Sequence, residues 1–246
     1  MGATARQYSR APISEAVIDL RVEPAEGTDL STLEPIGPLY APRYPTKKRL
    51  SVVMSKLQVG QEVSASSTSK EIGFRFESAD GKQIVQAQVE GFTLSRLMPY
   101  ESWEPFRDEA RHLWEMYRDV VHPRKVSRAA LRYINRLDIP APLHDLRDFL
   151  RVVPDLPPEL PQTVSGFFLH LTIPHEDLKS TLLLTQTFID PPAPSVISVI
   201  LDIDLSRTED LPASEAGLWA LLEELRVRKN EIFEACITDQ TREMIR

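Results

Sequence analysis

Leu131-Arg132-Tyr133-Ile134-Asn135-Arg136-Leu137-Asp138-Ile139-Pro140, written LRYINRLDIP, is the stretch on which the fold turns. Its period of two predicts a strand over Ala129 to Ile139, with Leu131, Tyr133, Asn135 and Leu137 on one face and Arg132, Ile134, Arg136 and Asp138 on the other. Asn135 therefore points the same way as two leucines and a tyrosine. If that face is core, its amide must find partners, because an unpaired buried amide costs about 1–3 kcal/mol. If the face lines a cleft, Asn135 and Tyr133 are ligand contacts. On the other face, Arg132 and Arg136 are expected to pair with neighbouring strands. All four residues are kept as candidates for binding a ligand or partner.

Working outward, the segment before this strand, PYESWEPFRDEARHLWEMYRDVV, recurs at three and four residues through Trp103, Phe106, Ala110, Leu113, Trp114, Tyr117 and Val121, which predicts a helix with one apolar stripe. Ser102 is placed to cap it, Pro105 falls in its first turn and Pro123 just beyond its end. Earlier still, Glu15–Val22, Leu50–Val59, Ile72–Glu77, Ile84–Val89 and Phe92–Leu97 read as strands, with a hairpin signal at Asp80-Gly81. A loop dense in proline, with a short turn at Asp29–Leu33, separates the first two.

After LRYINRLDIP the plan repeats. A short helix is expected over Leu143–Val152, then a break at PDLPPELPQ, strands at Val164–Ile173, Thr181–Ile189 and Val196–Leu205, and a helix from about Ser214 to the C-terminus. Leu218, Leu221, Leu222, Leu225, Ile232, Phe233 and Cys236 form that helix's apolar stripe. The expected fold is α+β, with two pseudo-repeated lobes over 1–125 and 126–246. Each is an antiparallel sheet covered by a long helix, in the manner of TATA-binding-protein-like or helix-grip folds. The first strands of the lobes are expected side by side in one continuous sheet.

Composition sets wider bounds. The chain has 246 residues, 42% hydrophobic and 26% charged, in the range of an ordinary globular protein. It shows no apolar run of membrane-spanning length and no apolar signal-peptide core, and although Gly2 follows Met1, no basic second anchor follows, so a cytoplasmic setting is expected. The one cysteine, Cys236, forms no internal disulfide and sits among apolar neighbours as a buried thiol. A net charge of −7 makes nucleic acid the less favoured partner, with Arg43, Lys47, Lys48 and Arg49 as the best candidate for a local basic face.

Chemical motifs are sparse. In VISVILDIDLS, Asp202 and Asp204 share a strand face and are the candidate ligands for Mg²⁺ or Mn²⁺; no other cofactor is expected. On the last helix Asn230 and Glu234 are four apart, with Arg226 a turn before them, and complete the candidate partner-binding residues. The five histidines are scattered, and there is no HExxH, GxSxG, P-loop or GxGxxG.

Four stretches, Ala11–Val22, Gly91–Phe106, Leu131–Pro140, and Val199–Leu205 with Leu225–Ile245, resemble a sporadically distributed bacterial family of uncharacterised proteins. The resemblance spans nearly the whole chain in order and implies a single-chain, prokaryotic intracellular protein. It carries no activity, cofactor or catalytic residue. The expected function is a non-catalytic binding protein or accessory subunit that holds a protein or peptide in a groove between its lobes. The alternative is a metal-dependent enzyme acting on nucleotides or nucleic acid through Asp202 and Asp204. Oligomeric state is left open.

Overall fold

The computed structural model describes residues 6, 8–59 and 63–246. Strand β1 (Ile13–Glu23) starts the chain's regular structure, and Ala16, Ile18, Leu20 and Val22 bury one of its faces completely or nearly so. The proline-dense segment after it is more ordered than its composition predicts. It forms one 3₁₀ turn (Ser31–Leu33) and a short helix α1 (Ile36–Tyr40). Pro38 fits in α1 because its missing N–H falls within the first turn, where no intrahelical acceptor exists.

Strands β2 (Thr46–Val59), β3 (Val63–Glu77), β4 (Gln83–Gln88) and β5 (Gly91–Leu97) then form an antiparallel meander. Gly81 takes φ +68 in the β3–β4 turn, as the Asp80-Gly81 signal predicts. β3 starts nine residues before the expected Ile72, because VSASSTSKE is too polar to show an alternating pattern yet pairs along β2. Helix α2 (Trp103–Val121) buries all seven predicted stripe residues and also Glu109. Ser102 occupies the N-cap position, but its side chain makes no capping bond.

Strand β6 (Lys125–Pro140) carries the opening sequence and pairs with β9 (Val196–Arg207), while β8 (Ser180–Ile189) pairs with β9 and with β7 (Phe168–His175). The short helix expected at Leu143–Val152 shrinks to a 3₁₀ turn, Leu146–Asp148, started by the Asp145 carboxylate accepting from the Arg147 N–H at 2.8 Å. The long final helix is broken into α3 (Glu215–Cys236) and α4 (Asp239–Met244). Tertiary pairing causes both departures. Ile237 lies extended opposite Leu150, the Arg151 N–H donates to the Cys236 carbonyl and the Thr238 N–H to that of Phe149.

The protein is thus α+β, with a nine-stranded antiparallel sheet in the order β2-β3-β4-β5-β1-β6-β9-β8-β7. It divides into two compact units: Met1–Ile18, Leu97–Glu101 and Arg128–Arg246 in one, Asp19–Arg96 and Ser102–Ser127 in the other. In the second unit, α2 lies on the sheet through Trp114 against Phe92 (5.9 Å between ring centres) and Tyr117, whose hydroxyl donates to the Gln88 carbonyl at 2.8 Å. In the first, α3 packs on β9 and reaches β6. Among the described residues no helix is long and apolar enough to cross a membrane.

Gly73 is where the β3–β4 pairing is tightest: a Cβ there would lie 2.2 Å from the Ala87 carbonyl oxygen. Gly73→Ala is expected to destabilise the chain by about 1–3 kcal/mol, as forced overpacking does. Gly166→Ala, where a Cβ meets nothing within 4 Å, is expected to be neutral. Urea unfolding of the two variants side by side checks both.

Candidate functional site

β6 has the two faces its period of two predicts, and their chemistry is opposite. On the outer face, Arg132 forks onto Asp202 of β9, its Nε 2.9 and 3.1 Å from the two carboxylate oxygens. Arg128 reaches Asp204 at 3.3 Å, and Arg136 donates to Asp138 at 2.9 Å and to Ser198 at 3.3 Å. The register puts Arg132 opposite Asp204, so its bond to Asp202 runs diagonally. The hydrogen bond to Asp202, against the opposing effect of burial, holds the Arg132 pKa above its usual value. Arg132 and Arg136 therefore make the cross-strand pairs expected of them.

The two candidate metal ligands are the acceptors of this ladder. Asp202 is 8% exposed and faces a guanidinium fork, which satisfies the carboxylate that a cation would need. Among the described residues no three His, Cys, Asp or Glu side chains converge as a metal site would require. The basic run is matched in the same way, since Arg43 pairs with Glu109, Lys47 with Glu34, Lys48 with Glu77 and Arg49 with Glu71. Four cations each met by a local carboxylate leave little field to attract phosphates.

On the inner face Asn135 is 3% exposed, and its Nδ2 donates to the Leu201 carbonyl at 3.0 Å and the Tyr133 carbonyl at 3.3 Å. The core alternative supplies the partners it demanded. Tyr133 is buried beside it, its hydroxyl sharing a 2.8 Å hydrogen bond with that of Tyr100. Above the Tyr133 ring, 3.6 Å from its centre, sits the ammonium of Lys229. Lys229 is 7% exposed and has no carboxylate partner among the described residues. Burial, with a smaller push from the Arg226 charge, brings its pKa down to about 7. The aromatic face beneath offsets part of that desolvation.

Of the other candidates, Asn230 is half-buried with no hydrogen-bond partner among the described residues. Glu234 accepts from Tyr8 and, at 2.8 Å, from Arg242. Asn230 and Glu234 thus share a helix face without sharing a partner. Cys236 is buried and its thiol pushed up to about 11 by desolvation, which makes it unreactive. Lys229 was missed by motif reading, although the sequence marks it: it fills the gap in the α3 stripe between Leu225 and Ile232, where an apolar residue is due.

No protein-family model matches the chain, and no curated protein sequence matches it. What defines its class is the fold: an α+β protein built on one nine-stranded antiparallel sheet.

The pH dependence follows from Lys229. Its folded value near 7 lies below the ordinary 10.5, so between these limits the unfolded chain holds the proton that the folded chain has lost. Stability from this group therefore rises with pH across that window, and the penalty is full below it. Lys229→Met is expected to be more stable than the parent at pH 6, the gap narrowing by about 3–5 kcal/mol by pH 10.5 at ~1.4 kcal/mol per pKa unit. Chemical denaturation of both chains at the two pH values measures it.

Proposed function

We propose that the protein is a non-catalytic binding or accessory subunit of a bacterial intracellular system, and that it takes an extended segment of a protein partner along strand β7. The observation that carries this is the character of that strand. Among the described residues β7 ends the sheet and pairs only with β8, so its outer row of N–H and C=O groups, less the N–H that Pro174 lacks, is open. Terminal strands usually carry charged residues that repel added strands, as β2 does with Lys47, Lys48 and Arg49 at the other end. FLHLTIPH has no Lys, Arg, Asp or Glu.

Its side chains are also incompletely covered. Phe168 is 72% exposed and stacked on His170, with ring planes 7° apart. On the opposite face Leu169 and Leu171 are half-buried and Ile173 is exposed. An added strand supplies main-chain hydrogen bonds to the edge and covers these apolar groups, the two contributions that give strand addition its affinity and selectivity. The same proposal keeps 1–125 and 126–246 as pseudo-equivalent lobes of a TATA-binding-protein-like or helix-grip-like plan. Support for that comes from the order strand, short helical connection, antiparallel strands, long helix, which occurs in both halves.

The test is hydrogen exchange on the full chain with a partner recovered from the native cell and then purified. The β7 amides are expected to slow at least tenfold on complex formation, and Phe168→Lys with Ile173→Lys to weaken binding at least tenfold while circular dichroism stays unchanged. Protection confined to other strands overturns the β7 assignment. Turnover of nucleotides or nucleic acid by the purified chain with Mg²⁺ or Mn²⁺ overturns the non-catalytic one.

A further inference from the structure

The inner face of the sheet under α3 is apolar along Leu131 and Leu137 of β6, Val199 to Leu205 of β9, and Leu182 and Leu184 of β8, with polar groups set into it at few places. Asn135 is the register partner of Leu201, and Leu201 of Gln186, so the two amides stand in one cross-strand row on one face. At the spacing of neighbouring strands, Gln186 lies about 10 Å from Asn135, and Tyr133 about 7 Å from Asn135 along β6. Lys229 covers Tyr133 at the other end of this patch.

Two of the three polar side chains, Gln186 and Lys229, have no hydrogen-bond partner among the described residues. Gln186 is 0% exposed, and among the described residues neither its Oε1 nor its Nε2 has a hydrogen-bond partner. Asn135 already has its partners, its Nδ2 donating to two carbonyls. Lys229 lies on an aromatic ring with no carboxylate partner among the described residues, and the Arg226 charge acts on it as well. A buried amide left unpaired costs about 1–3 kcal/mol, and a buried ammonium without a counter-ion more. Two such groups, flanking the paired Asn135 amide on one apolar patch, describe a recognition surface: a positive end, a polar far end and hydrocarbon between them.

We propose that Lys229, Asn135 and Gln186 form a buried site for a small organic carboxylate, its carboxylate on the Lys229 Nζ, its aliphatic body across Leu201, and its far polar end on the Gln186 amide. A single ammonium with no guanidinium fork suits one carboxylate rather than a phosphate, which needs more positive charge. The Gln186 amide, with a donor and an acceptor both unspent, suits a second carboxyl, an amide or a hydroxyl equally. This site is independent of partner binding at β7 and stands or falls by itself.

The experiment uses the full chain labelled with ¹³C-lysine. The Lys229 titration is followed by NMR in the presence of hexanoate, adipate or inorganic phosphate at millimolar concentration. Both carboxylates are expected to raise the Lys229 titration midpoint by at least one pH unit, adipate binding more tightly, and phosphate to leave it in place. Lys229→Met is expected to abolish the rise in melting temperature that adipate gives. Gln186→Leu, which keeps the core filled, is expected to weaken adipate at least fivefold and to leave hexanoate unchanged. A Lys229 midpoint that neither carboxylate moves, or an equal response to phosphate, overturns the proposal. So does adipate binding that survives Lys229→Met.

Discussion

β6 presses Leu131, Tyr133 and Leu137 inward while its outer face holds Arg128, Arg132 and Arg136 against the carboxylates of β9 and Asp138. Because side chains alternate, a slip of one residue would send the arginines into the core and the tyrosine to the surface. The guanidinium fork between Arg132 and Asp202 and the amide bond from Asn135 to Leu201 fix the β6–β9 register from both faces at once. The positions of β8, β7 and α3 follow from that register, since β8 and α3 are laid against β9 and β7 against β8. Polar residues that would individually add little to stability therefore act as alignment marks.

The inner face then accepts a liability that the outer face avoids. Every arginine of the ladder has an acid beside it, whereas Lys229 lies on a ring and has no acid beside it among the described residues. A methionine or leucine at this position would pack the stripe between Leu225 and Ile232 without desolvating a charge. Maintaining an ammonium there, over the same sheet face as the unpartnered Gln186 amide, is difficult to derive from stability alone. Sites that bind small molecules commonly contain such groups, and the fold gives up stability to retain them.

Much of the architecture was legible in the sequence because it is written in period. All nine strands and the two long helices were anticipated from alternation and from the three-to-four spacing of apolar residues. What escaped was decided by tertiary contacts. The Ser-rich start of β3 forms only because β2 offers it a ladder, and the α3–α4 break exists because Leu150 holds Ile237 extended. The two outcomes for Asn135 could not be separated from sequence, since the same face of a strand serves core and cleft. Lys229 was hidden for the opposite reason: a lysine in a helix is so ordinary that only its position within the stripe reveals it.

The uncharged edge of β7 has a colloidal consequence as well as a recognition one. A strand open to a partner's backbone is equally open to another copy of itself, and apart from Pro174, which offers no N–H, FLHLTIPH has no Lys, Arg, Asp or Glu to repel one. Long-range charge acts against such pairing: two molecules each carrying −7 repel before their edges align. That repulsion fades over about 10 Å in ordinary salt, so it discriminates on approach and not at contact. On the β7 proposal, a partner carrying surplus positive charge around its extended segment would be drawn toward the edge from which like-charged copies are repelled.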